Sequence, residues 1–190
     1  MSVLCFVNRF FFPDHSATSQ LLTDLAFHLA ETGVAVHVIT SRQVYNDPNA
    51  ILPSQDFVQG VRVTRVWTTQ FGRQNLPGRT LDYLTFYLSA AWSLFALLKP
   101  GDIVVAKTDP PLISVVAVIV AKIRGAKLIN WIQDLFPEVA EVLGEGGIGS
   151  LEGLLRSVRN WSLRTAYKNV VIGDGMAKKL AGEGIKPDAI

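Results

Sequence analysis

Apolar runs too short for anything but a strand alternate along this chain with longer segments of helical period. Residues 3–7 form a β-branched, apolar run, and residues 34–40, 61–67, 102–106, 127–132 and 170–172 repeat the pattern. Between the first two, Leu22, Leu25, Ala26 and Leu29 recur at i, i+3, i+4, i+7; Ser16, Thr18 and Ser19 offer N-caps, and Gly33 suits a left-handed helix end. Such alternation predicts parallel strands joined by right-handed crossovers, a Rossmann-like doubly wound α/β fold with a mainly parallel sheet and helices on both faces. Hydrophobic residues make up 49% of the chain and charged residues 18%, which suits strands buried on two faces and excludes a disordered chain.

One core accommodates 190 residues, so a single domain over residues 1–190 is expected. Residues 46–59, with Pro48 and Pro53, read as loop, as do residues 69–78. A helix opening near Pro111 closes at Lys122, Arg124 and Gly125. A further helix over residues 151–165 carries an apolar stripe of Leu151, Leu154, Leu155, Val158 and Trp161, expected to face inward. The uncharged run at residues 83–98 is too short to cross a hydrocarbon layer of about 30 Å. Its Thr85, Ser89 and Ser93 form a small-residue ridge, so it reads as a buried or half-buried helix, with interfacial membrane contact as the alternative.

A formal charge of +2 and a pI near 8.8 leave no nucleic-acid footprint. A single Cys5 permits neither an internal disulfide nor a cysteine metal cluster, and a cytoplasmic location is the simplest expectation. The first residues read as a strand, not a secretion signal.

In doubly wound sheets ligands gather beyond the carboxyl ends of the strands. After the first strand come Asp14, His15, Ser16, Ala17 and Thr18, where helix amides and hydroxyls suit an anion such as a diphosphate, and equally suit plain capping. After residues 102–106 come Thr108 and Asp109 with a proline pair, able to fix an acceptor hydroxyl or to cap a helix. After residues 127–132 come Gln133, Asp134 and Glu138, two carboxylates and an amide fit to orient a sugar hydroxyl or accept a proton. Asp174, between two glycines, reads as a helix cap. Residues 144–149 match the letters of a dinucleotide fingerprint but do not follow a strand directly, and read as loop. His15, His28 and His37 lack metal-ligand spacing, so no metal site is expected. A serine nucleophile elbow and a P-loop are both missing, which weakens hydrolase and kinase readings.

With these residues located, the chain resembles family 4 glycosyltransferases of the GT-B fold, in the branch that builds exopolysaccharide and O-antigen units. The resemblance rests on Phe12-Pro13-Asp14, on residues 25–40 (similar to LAxxLAxxGHEVxVIT), on residues 108–112 (TxPPL), on residues 132–138 (xxDLWPE) and on residues 170–180 (VVxxSxGMxxxL). It implies the N-terminal, acceptor-side domain of a retaining enzyme whose nucleotide-sugar-binding C-terminal domain is absent from this sequence. The implied reaction moves a sugar from a nucleoside-diphosphate sugar to a saccharide or polyprenyl-linked acceptor. It needs no cofactor and no obligatory metal. Peripheral contact with the inner face of the plasma membrane fits such an acceptor, through basic residues such as Arg42, Arg73 and Arg79. The family usually has a glycine pair where Ser16 and Ala17 stand, and often a histidine where Gln133 stands. These departures weaken a diphosphate role for residues 16 and 17, because a side chain keeps backbone amides away from a phosphate, and leave Asp134 as the catalytic candidate. Two other readings stay open: an NAD(P)-binding oxidoreductase domain, disfavoured by the missing glycine fingerprint after Val7, and a non-catalytic membrane-docking subunit of a split glycosyltransferase.

Overall fold

The computed structural model describes residues 2–72, 76–138 and 151–190. Its core is a seven-stranded sheet: β1 (Leu4–Val7), β2 (Val36–Ser41), β5 (Gln55–Val58), β6 (Val61–Val66), β7 (Ile103–Ala106), β8 (Lys127–Ile132) and β9 (Lys168–Val171), in the order β5-β6-β2-β1-β7-β8-β9. Every pairing is parallel except that of the edge strand β5 with β6. From β1 the chain winds outward to β2 and β6, then returns to lay β7, β8 and β9 on the other side of β1. The winding direction thus reverses between β1 and β7, the point where doubly wound sheets open a crevice.

Alternation within strands decides which layer each residue joins. Phe6 and Val105 pack with Leu22 and Ala26 of α1 (Ala17–Glu31) on one face. Cys5, Val7, Val104 and Ala106 pack on the other face against α2 (Leu76–Leu97) and α3 (Ile113–Arg124). On α2 the buried apolar side chains are Phe86, Ala90 and Leu94, followed just past its end by Leu98, a stripe at four-residue spacing. Each large member contributes about 1.5–3 kcal/mol relative to exposure. A third cluster joins Ile132 and Leu135 to Leu163 of α4 (Glu152–Thr165), Leu180 of α5 (Asp174–Gly182) and Ile185. Gly33 holds φ +88° beyond α1, as a left-handed helix end requires.

Four expectations need correction. Residues 46–59 are not plain loop: β3 (Gln43–Val44) and β4 (Asp47–Ile51) form a small ribbon, and β5 adds an antiparallel edge through the tight turn Gln59-Gly60, both residues at positive φ. The apolar stripe of α4 is covered only in part, at the half-buried Leu155 and Val158. Leu151, Leu154 and Trp161 are exposed, whereas Arg159, Asn160, Ser162 and Leu163 are buried, because two glutamates distant in sequence neutralise Arg159 inside the fold. Leu112, not Pro111, precedes α3. Gly173 holds the cap position of α5, with Asp174 as its first helical residue. The glycine-rich residues 144–149 and Arg73 lie outside the described residues.

Candidate functional site

Three polar segments leave the sheet at one rim, after β1, β7 and β8, and each turns through a cis peptide before Pro13, Pro110 or Pro137. Backbone bonds lock the first two together: Arg9 N–H donates to Asp109 O (2.8 Å) and Lys107 N–H to Val7 O (3.2 Å). The Lys107 ammonium then donates to Thr18 O in the first turn of α1 (2.9 Å), with the Trp131 ring 4.0 Å from it. Burial pulls this amine down to about 8, with the charge of Asp109 opposing the shift.

In the β1 exit, Asp14 is buried and its carboxylate organises the loop. One oxygen accepts from Ser16 N–H (2.8 Å) and Ser16 Oγ (2.5 Å), the other from the backbone N–H of Tyr45. Ser16 occupies the N-cap of α1 but turns its hydroxyl to Asp14 instead of capping. His15 and Ala17 are exposed, and Thr18 is half-buried. Behind this loop Arg9 is buried between Gln43 Oε1 (3.0 Å) and the Asp82 carboxylate (3.6 Å). Sequence reading passed over Arg9, because a basic residue two positions past a strand looks like surface.

In the β7 exit, Thr108 and Asp109 are half-buried. Leu112 sits at φ +63°, left-handed backbone that costs a branched residue about 1–2 kcal/mol. The Tyr87 hydroxyl, donating to Pro111 O, and the Ile113 N–H, donating to Pro110 O (3.3 Å), hold this turn.

The β8 exit splits its polar residues between two tasks. Asp134 is exposed at the lip of a cavity of about 110 Å³ between the ends of β7 and β8, the start of α3, and α4. Thr108, Asn130, Leu135 and Arg159 also line it. Glu138 turns toward α4 instead, 2.6 Å from Arg159, 3.5 Å from Arg156 and 3.7 Å from Lys179. Burial pushes the Glu138 carboxyl up, but the Arg159 hydrogen bond and the surrounding cations outweigh it, so Glu138 titrates below the ordinary carboxylate value. Gln133 is half-buried, with its side-chain oxygen unpartnered.

Thus Thr108 and Asp134 meet at one cavity, while Asp14, His15, Ser16, Ala17 and Thr18 stand across β7 on the same rim. Asp109, Gln133 and Glu138 flank the cavity without lining it. Asn130 and Arg159 escaped the sequence reading because neither lies in a strand exit. Among the described residues no cluster of three or more His, Cys, Asp or Glu side chains is placed to hold a metal ion, and no helix is long and apolar enough to cross a membrane.

A family model described as a glycosyl transferase 4-like domain matches residues 17–190. Among solved structures, the chain is similar to a sucrose-phosphate synthase from Thermosynechococcus elongatus, with a TM-score of 0.61 and 10% identity over 98% of this chain and 46% of that one. It is also similar to an α,α-trehalose 6-phosphate synthase from Burkholderia multivorans, with a TM-score of 0.59 and 13% identity over 96% of this chain and 42% of that one. At such identities the likeness shows the fold, and this chain spans less than half the length of either protein. No curated protein matches the sequence.

Proposed function

The chain belongs to the glycosyl transferase 4-like domain family, and on that footing we propose that it is the acceptor-side domain of a retaining GT-B glycosyltransferase that moves a sugar from a nucleoside-diphosphate sugar to a glycan or lipid-linked acceptor in cell-surface polysaccharide synthesis. The observation that carries this reading is the shared rim: Asp134 opens onto a cavity at the same sheet edge as the β1 exit, beside the β1/β7 reversal. Among the described residues, Asp134 has neither a hydrogen bond nor an ion pair. Its carboxylate is therefore open to a sugar hydroxyl, whereas those of Asp14 and Glu138 are engaged within the fold.

The donor diphosphate would be held mainly by a second Rossmann-like domain closing over this rim, with no obligatory metal. Closure excludes water and aims fixed dipoles at the departing diphosphate, so a front-face transfer needs no enzymatic nucleophile. Contact with an anionic membrane surface completes the reading. Leu84, Leu88, Trp92 and Phe95 of α2 and the nearby Trp67 and Phe71 are exposed, and such an apolar face beside the β6 exit suits an interfacial position next to a lipid-linked acceptor.

The test is sugar transfer by the full-length gene product with Asp134→Asn. Loss of kcat/KM by about 100-fold or more is expected for a carboxylate that touches the reacting sugar. Unchanged turnover overturns the role of Asp134, and no transfer from any nucleoside-diphosphate sugar overturns the function.

A further inference from the structure

The cavity beneath Asp134 has a chemistry of its own. By strand alternation Ala106, Asn130 and Ile132 turn to the sheet face covered by α3 and α4, whereas the Lys107 ammonium lies on the α1 face. Two buried polar atoms in its lining lack a hydrogen-bond partner: Thr108 Oγ1 and Asn130 Oδ1. Asn130 is 98% buried by its exposure of 2%, and its amide nitrogen is already fixed, donating to Asn169 Oδ1 at 2.9 Å. That bond presents the oxygen as an acceptor awaiting a donor. Thr108 adds a hydroxyl able to donate. Orphaned buried groups of this kind are costly and call for a ligand or water.

Apart from Ser114 and the Asp134 carboxylate at the lip, the remaining wall is mostly apolar, with Ala106, Leu112, Ile132, Leu135 and Leu163. Two basic residues belong to this lining, Lys107 and Arg159, but the Lys107 ammonium is turned to Thr18 O on the other sheet face, and Arg159 is not open to an anion either. It donates to Asn160 Oδ1, Phe136 O and the carboxylates of Glu138 and Glu183, so all three of its guanidinium nitrogens are already engaged. The ligand that fits is therefore not an anion; it offers one N–H or O–H donor and one acceptor, and carries an apolar body. A lone hydroxyl meets the polar demand but leaves the apolar space unfilled, since the volume of about 110 Å³ far exceeds the roughly 30 Å³ share of one water. An acetamido group meets both: its N–H faces an acceptor, its C=O faces a hydroxyl, and its methyl occupies the apolar wall.

We propose that this cavity is the subsite for the N-acetyl group of a 2-acetamido sugar, and that it selects such a sugar over its hydroxyl counterpart. The proposal rests on the saccharide-acceptor reading above. Its test is saturation-transfer NMR and titration of the 190-residue chain with the methyl glycoside of N-acetylglucosamine, against the methyl glycoside of glucose. The acetamido methyl should receive the strongest saturation, and the glucoside should fail to compete. The isosteric Thr108→Val should raise Kd about tenfold, the worth of one hydrogen bond, and Ala106→Val, which fills the cavity, should abolish binding. Equal saturation of ring and methyl protons overturns the proposal, as does equal competition by the glucoside, or unchanged affinity in a Thr108→Val protein that melts like the wild type. Selective acetamido binding without sugar transfer by the full-length product leaves the subsite standing and removes the transferase reading; transfer without acetamido preference does the reverse.

Discussion

Arg159→Met should be the most damaging single substitution on α4, although it replaces a charge by an apolar group on a helix already short of buried apolar residues. The Arg159 side chain is 6% exposed and lies between Glu138 and Glu183, whose side chains are 13% and 16% exposed. Removing one partner from such a set leaves carboxylates with their desolvation uncompensated, which costs about 3–5 kcal/mol. Glu138 keeps Arg156 at 3.5 Å and Lys179 at 3.7 Å, so the lower end, about 3 kcal/mol, is expected. For a chain of this size that lowers Tm by about 6–12 °C. Adding Glu183→Gln to Arg159→Met should recover part of the loss, because the variant then buries one fewer uncompensated charge. The pH dependence fixes the sign. Glu138 titrates below its ordinary value of 4.5 in the folded chain, so its stabilisation is present above the unfolded value and fades as pH falls through the folded one. Arg159→Met should flatten that acid limb. Urea titrations at pH 7 and pH 4 on the four proteins of the cycle give the answer. A loss under about 1 kcal/mol, or a Glu183→Gln effect identical in both backgrounds, refutes the reasoning.

Lys107→Met should change how stability varies with pH. A lysine whose amine titrates near 8 in the fold stabilises progressively as pH rises from there toward the unfolded value near 10.4, so the wild-type urea midpoint should gain on the variant between pH 7 and pH 9.5, and parallel curves would contradict this. Asp14→Ala strips the acceptor from two backbone N–H groups and the Ser16 hydroxyl, and denaturant titration should show a loss of about 1–3 kcal/mol. Gln59 holds φ +45° in an exposed two-residue hairpin turn before Gly60. Asn tolerates that conformation better, so Gln59→Asn should stabilise by about 0.5–1 kcal/mol in a calorimetric melt; a loss would count against the turn.

The parts of this molecule that could be read from sequence are those in which one short segment contains its own reason. Residues 3–7 announce a strand because neighbouring side chains must all leave water, and the structure divides them between two layers: Cys5 and Val7 to one, Phe6 to the other. The rim loops were legible because parallel strands place their exits at one edge. Where the reason lies elsewhere in the chain, the reading failed. Nothing within residues 151–165 indicates that Arg159 turns inward; that depends on Glu138 and Glu183, 21 and 24 residues away. The Gln59-Gly60 hairpin was missed because its first residue is not one that favours positive φ.

Asn130 shows the same division at the site itself. Within the run Lys-Leu-Ile-Asn-Trp-Ile it reads as one polar residue in a buried strand, and half of that reading holds, since its amide nitrogen bonds Asn169 on the neighbouring β9. Its oxygen acquires a different meaning from what stands around it. Ala106, its register partner on β7, is too small to cover it, and the left-handed turn at Leu112 sets where α3 begins. A cavity is a property of side chains that are small or turned away, and those are the residues that hydrophobic periodicity weighs least. Strand exits can therefore be listed from a sequence, while the floor between two of them becomes visible only once the sheet is assembled.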